Sequence, residues 1–152
     1  MLYITAAHSA EVNYDAPLID RSWSIDKRIN LNNFRLSKRP GKVSLDFHLA
    51  YTDDKTMGLD PFLSELHVAG WRTIDLVELC AFGLVHENTM VVFDTPVLAC
   101  ASRWKVGDIE YSPLLRGSYN ESSHQEGMWV LMDPLSLTDA LTSPNRLGVV
   151  RI

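Results

Sequence analysis

Between Trp23 and Tyr51 the chain alternates apolar and polar residues in two runs around one turn, and no other feature constrains the fold as strongly. Trp23, Ile25, Ile29 and Leu31 recur at every second position, with Lys27 the exception, while Ser22, Ser24, Asp26, Arg28 and Asn30 take the other side. A period of two is that of a half-buried strand. At Asn32-Asn33 the phase slips by one residue, as at a β-bulge, and Phe34 and Leu36 become the apolar positions. Pro40-Gly41 then supplies a turn, after which Val43, Leu45, Phe47, Leu49 and Tyr51 alternate with Ser44, Asp46, His48 and Ala50. The pattern predicts an N-terminal basic β-hairpin. Phe34 would lie opposite Phe47, Leu36 opposite Leu45, and Arg35 opposite Asp46.

Two helices are expected mid-chain. In "GLDPFLSELHVAG" Asp60 suits a cap, Pro61 the first helical position and Gly70 the stop, with Phe62, Leu66 and Ala69 facing a core. A second helix is expected from Thr73, as N-cap, to about Val85, with Asp75 near its positive end. From Thr89 short strands resume: "TMVVFDT", "VLACASRW", a turn at "KVGD", "DIEYSPLL", a polar loop "RGSYNESSHQEG", and "MWVLM" closed by Asp133-Pro134. A short helix in "LSLTDAL" and a terminal strand in "GVVRI" complete the order. The expected fold class is α+β. A largely antiparallel β-sheet, with barrel-like curling as its extreme form, is packed by the two helices in a single domain over 1–152.

A chain of 152 residues, 46% hydrophobic and 22% charged, can bury a core and has no disorder signature. The opening "MLYITAAHSAEVNYD" lacks a basic n-region followed by an apolar run, so no signal peptide is expected. "IDLVELCAFGLV" contains Asp75 and Glu78 and is too short to span a bilayer. Cys80 and Cys100 sit in apolar surroundings and are expected as buried free thiols. The expected compartment is the cytoplasm, of a bacterium or of a host cell if the source is viral, with no membrane partner.

Motifs for chemistry are sparse. His48, His67 and His86 are evenly spaced, but their flanking residues share no pattern, and paired ligands at zinc spacing do not occur. His86-Glu87 opens like a zincin helix without the second His. Neither a metal nor a cofactor is expected. Cys80 and His86, six apart on a helix, fall on different faces. "SYNESSHQEG" reads as a solvated loop, because a catalytic triad is normally assembled from separate segments. One acid–base alternative remains, a small enzyme using His86 and Glu87, with Asp94, at a helix end. Helix capping is the simpler account of that His.

Charge is distributed unevenly. Residues 21–42 hold seven basic side chains and one acid, a net +6, whereas the other 130 residues carry seven basic and eighteen acidic, a net −11. Arg21, Lys27, Arg28, Arg35, Lys38, Arg39 and Lys42, with Trp23 as an aromatic anchor or a core residue, form the candidate protein-binding site. A solvated edge kept charged against aggregation is the plainest account of these cations. The functional account is a non-catalytic interaction or assembly module that binds an acidic protein surface. Its own copies would serve, forming a homo-oligomer as in a virion or other multi-subunit particle. An inhibitor or immunity-type protein is a close variant. A nucleic-acid-binding protein is the further alternative, with Trp23 and Phe34 offering stacking surfaces, although the acidic body opposes it.

Overall fold

The computed structural model describes residues 1–15, 23–35, 39–93, 95–119 and 128–152. It is mixed α and β and dominated by sheet. The strands are β1 (Leu2–Ile4), β2 (His8–Asn13), β3 (Ser24–Ile25), β4 (Lys42–Thr52), β5 (Trp71–Thr73), β6 (Val97–Leu98), β7 (Trp104–Val106), β8 (Ile109–Tyr119), β9 (Met128–Ser136) and β10 (Arg146–Arg151). Two helices, α1 (Leu59–Val68) and α2 (Leu76–Phe93), interrupt them, and a 3-10 turn covers Leu137–Asp139. The main path runs β1-β4-β10-β6-β8-β9-β3. It is largely antiparallel, with parallel pairing only at β6/β10 and β3/β9 among the described residues. Among the described residues the path does not close on itself, so the sheet is open rather than a closed barrel there.

The terminal strand β10 lies at the centre. It pairs with β4, β5 and β6, and Leu147, Val149 and Val150 are buried. That agrees with the apolar run "GVVRI".

The expected hairpin takes a different form. β4 does alternate as its sequence requires, with Phe47 and Leu49 buried. Its antiparallel neighbour, however, is β2: His8 stands opposite Phe47, Ser9 opposite Asp46 and Ala10 opposite Leu45. These pairings replace the expected Phe34/Phe47, Arg35/Asp46 and Leu36/Leu45, and Leu36 lies outside the described residues. Of the described residues in 21–42, strand is confined to β3 and to Lys42, the first residue of β4. The reason is turn chemistry. Asp26 Oδ1 accepts the Arg28 N–H at 2.9 Å, and Asn30 Oδ1 accepts the N–H groups of Asn32 and Asn33, each at 3.0 Å. Asn30 Nδ2 donates to the Lys27 carbonyl at 2.9 Å and Asn33 Nδ2 to that of Arg28 at 2.9 Å. Asp and Asn side chains thus take up backbone groups that a ladder would use. Most apolar positions still point inward, with Trp23, Ile29 and Phe34 buried, but Leu31, expected on the same side, is exposed.

Both helices start away from the expected caps. Gly58 is the N-cap of α1, with Asp60 in its first turn. Past its C-cap Ala69, Gly70 takes φ +89°, a left-handed position suited to glycine. Thr73 is the last residue of β5, and Asp75 caps α2 instead. α2 breaks its helical dihedrals at His86 (φ −116°, ψ 21°) and then continues to Phe93, where a strand from Thr89 was expected. The short apolar run there fits either state by periodicity. The turn at Gly107 (φ +62°) joins β7 and β8 as "KVGD" predicts. "MWVLM" becomes part of the longer β9, which runs on through Pro134, and the middle of the polar loop, residues 120–127, lies outside the described residues. Cys80 and Cys100 are free and buried, and burial pushes each thiol up to about 12. No helix among the described residues is long and apolar enough to cross a membrane.

α2 seats closely on the sheet at Gly83. A Cβ there would meet Leu115 Cδ2 at 2.5 Å and the Trp23 ring at 2.8 Å. Gly83→Ala is therefore expected to destabilise the fold by about 1–3 kcal/mol through overpacking. Denaturant titration reads this directly, and an unchanged midpoint would show that the helix stands off from β8.

Candidate functional site

The first turn of α2 organises the most polar buried cluster among the described residues. Asp75-Leu76-Val77-Glu78 is a reciprocal cap: Asp75 Oδ1 accepts the Glu78 N–H at 2.9 Å and Glu78 Oε1 accepts the Asp75 N–H at 3.0 Å. Glu78 is fully buried. Arg72, carried by β5, donates to both carboxylate oxygens, Nη1 to Oε1 at 3.0 Å and Nη2 to Oε2 at 2.7 Å. This forked pairing suits guanidinium and carboxylate. The Tyr14 hydroxyl adds a bond to Oε2 at 2.7 Å, and Arg39 Nη1 stands 3.7 Å from the same oxygen. Burial acts to raise the Glu78 pKa, but the bonds from Arg72, the Asp75 N–H and Tyr14 outweigh it, and the carboxyl is held low. Asp75 moves the other way, raised by burial and by the neighbouring Glu78 charge. Burial and then the bond to Glu78 raise Tyr14.

Above this cluster opens a cleft of about 360 Å³, walled by Arg35, Arg39, Arg72, Asp75 and Glu78 and closed by Ser102. Ser102 is buried, and its Oγ accepts the Leu76 N–H at 2.8 Å. The two carboxylates of the cleft are already engaged, one as a helix cap and one by Arg72 and Tyr14. Arg35 makes no ion pair among the described residues, and the Arg39 side chain is 49% exposed. The cleft therefore presents the exposed Arg35 guanidinium beside those of Arg39 and Arg72, which face Glu78.

The expected site residues separate into groups. Arg21 and Lys38 lie outside the described residues. Trp23 is buried against α2, so its ring belongs to the core rather than to a surface that a partner meets. Phe34 is likewise buried, its ring edge-on to Trp104 at 6.0 Å, so it does not itself offer a stacking surface. Lys27, Arg28 and Leu31 are exposed on one turn-rich lobe. Arg28 forks onto Asp26 through two bonds of 2.9 Å, and its side chain and N–H hold that carboxyl down at about 2. Lys42 is exposed at the start of β4, opposite Asn13. Lys27 and Lys42 join Arg35 in having no ion pair among the described residues.

His86 does not end its helix. It sits at the break in α2, with Nε2 at 2.9 Å from the Ser9 carbonyl and its ring 5.2 Å from that of His8. Burial first, then His86 and His48, lowers the His8 pKa. This links α2 to β2, and Asp94 and the Glu87 side chain lie outside what is described. Among the described residues no three His, Cys, Asp or Glu side chains converge as a metal site.

Tyr14, Arg72, Glu78 and Ser102 were not anticipated as site residues. The D-x-x-E spacing at Asp75 and Glu78 carries the cap signal, and the alternation of Ala10, Val12 and Tyr14 marks β2. Nothing local marks Arg72 or Ser102. Comparison with protein-family models, curated proteins and solved structures finds no match.

Proposed function

We propose that this chain is a non-catalytic interaction module that binds an acidic protein surface, on its own copies or on another protein, through the basic segment 21–42. One contrast carries the reading. The five arginines outside the segment are all engaged: Arg72 with Glu78, Arg116 with Asp133 at 3.1 Å, Arg103 with Glu110 at 4.0 Å, Arg146 over Tyr51 and Arg151 over Trp71. Within the segment Arg28 is held by Asp26 and Arg39 stands near Glu78. Lys27, Arg35 and Lys42, however, stand exposed without an ion pair among the described residues, three in this short stretch against two, Lys55 and Lys105, in the rest of the described chain. A surface charge of this kind contributes little to folding, so its concentration favours an external counter-charge. Arg35 and Arg39 would clamp a partner carboxylate at the cleft, while Lys27, Arg28 and Lys42 steer the approach.

Retention on immobilised polyglutamate tests this. The wild-type protein, although acidic overall, should be retained at low salt and released as salt screens the charges. Lys27→Glu/Arg28→Glu/Arg35→Glu should flow through while remaining cooperatively folded, its midpoint lowered only by the loss of the exposed Arg28–Asp26 pair. Equal retention of the variant would remove the segment from the function. Nucleic-acid absorbance released from the purified protein by salt would move the reading to phosphate binding.

A further inference from the structure

Beside the N-terminus of α1, two clefts of about 570 and 670 Å³ share Met57, Thr138 and Leu141 and so form one trough. Met57, Leu59, Leu137 and Leu141 give its first half an apolar floor, and Ile109, 47% exposed, stands at its edge. The rim there is acidic. Asp60, Asp108 and Glu110 line it against the single cation Arg103. Asp60 and Asp108 make no ion pair among the described residues.

The lobe at residues 26–35 is the counterpart of this trough. Its internal bonds, from the Ile29 N–H to the Asp26 carbonyl at 2.9 Å and from the Phe34 N–H to the Asn30 carbonyl at 2.9 Å, make it a pre-shaped turn. Phe34 and Ile29 root it in the core, while Leu31, 52% exposed, lies in sequence between the exposed cations Lys27 and Arg28 and the exposed Arg35. An apolar tip flanked by cations matches an apolar floor with an acidic rim. A pre-shaped turn also loses little freedom on docking.

We infer that the acidic trough receives the 26–35 lobe of a second copy of this chain, so that copies associate head to tail. This rests on the proposed function and names its partner. The lobe packs through Phe34 on Trp104, at the base of the β7–β8 ribbon, whereas Asp108 and Ile109 stand at its tip. Donor and receptor are different surfaces, so the contact propagates from copy to copy into a ring or an open chain. Leu31 enters the floor, and Lys27 and Arg28 meet Asp60 and Asp108.

Light scattering with charge-swapped variants decides it. At low salt the wild-type mass should rise with concentration to about twice the monomer or more, and fall back at high salt. Lys27→Glu/Arg28→Glu alone and Asp60→Lys/Asp108→Lys alone should each stay monomeric and cooperatively folded, with midpoints lowered only by the loss of the Arg28–Asp26 pair in the first and of the acid in the first turn of α1 in the second. Their equimolar mixture should associate again. A wild-type protein that remains monomeric at every concentration overturns the inference, as does association of either variant alone at the wild-type level. Retention on polyglutamate by a monomeric wild type would leave the proposed function standing while this inference falls. Loss of both would remove both.

Discussion

Glu78→Gln should cost this protein about 3 kcal/mol of stability, the lower end of what removing one partner of a buried ion pair costs. The lower end applies because the Arg72 side chain keeps 24% of its exposure and can recover some hydration. Glutamine preserves the shape and one acceptor, so the loss reports the charge rather than a cavity. The pH dependence should change with it. Glu78 has a folded pKa below its unfolded value, so its stabilisation is complete above about 4.3 and is lost as the pH falls through the folded value. Asp75, raised by burial, acts in the opposite sense, and its penalty on the folded state is relieved as the pH falls through its raised value. Unfolding midpoints against pH should therefore drop in acid for the wild type and much less for Glu78→Gln. An equal acid response in both proteins would show that Glu78 does not carry the charge of the cluster.

Phe34→Ala should cost about 3–5 kcal/mol, as deletion of a buried aromatic ring does. The ring is 1% exposed and seated on Trp104, although its neighbours Asn32 and Arg35 are at the surface. Leu31→Ala, three residues away and exposed, should change stability by no more than about 0.5 kcal/mol. The pair therefore separates the root of the lobe from its tip. A small effect at Phe34 would mean that the basic segment is not anchored to the body. With the lobe unrooted, retention on polyglutamate should also weaken in Phe34→Ala, because the cations would no longer be held in one arrangement.

The inward side of the first alternating run is legible in the sequence. Trp23, Ile29 and Phe34 are buried, and Lys27 is exposed as a lysine should be. The conformation that buries them is another matter. Asp26, Asn30 and Asn33 convert an apparent strand into successive turns through side-chain bonds to the backbone, and turn chemistry outranks alternation where Asp and Asn recur this densely. At α2, Thr73 and Asp75 both look like caps. Only Asp75 has an acid three residues on to close the reciprocal pair. The candidate site was half legible. Its cations stand out by composition, while the carboxylate beneath them sits in a run that reads as core helix.

The sequence by itself determined what is local: which faces are apolar, where Gly70 and Gly107 must turn, that Cys80 and Cys100 lie in apolar surroundings, and that the positive charge is gathered in 21–42. Tertiary structure alone decided that β2, rather than the described residues of 23–35, pairs with β4, and that Tyr14, 64 residues away in the chain, joins Arg72 at Glu78. The physical reason is that ladder hydrogen bonds join backbone groups common to nearly every residue. The choice of neighbour is then made by long-range packing and by side chains that claim backbone groups first, and neither is a property of any short stretch of chain.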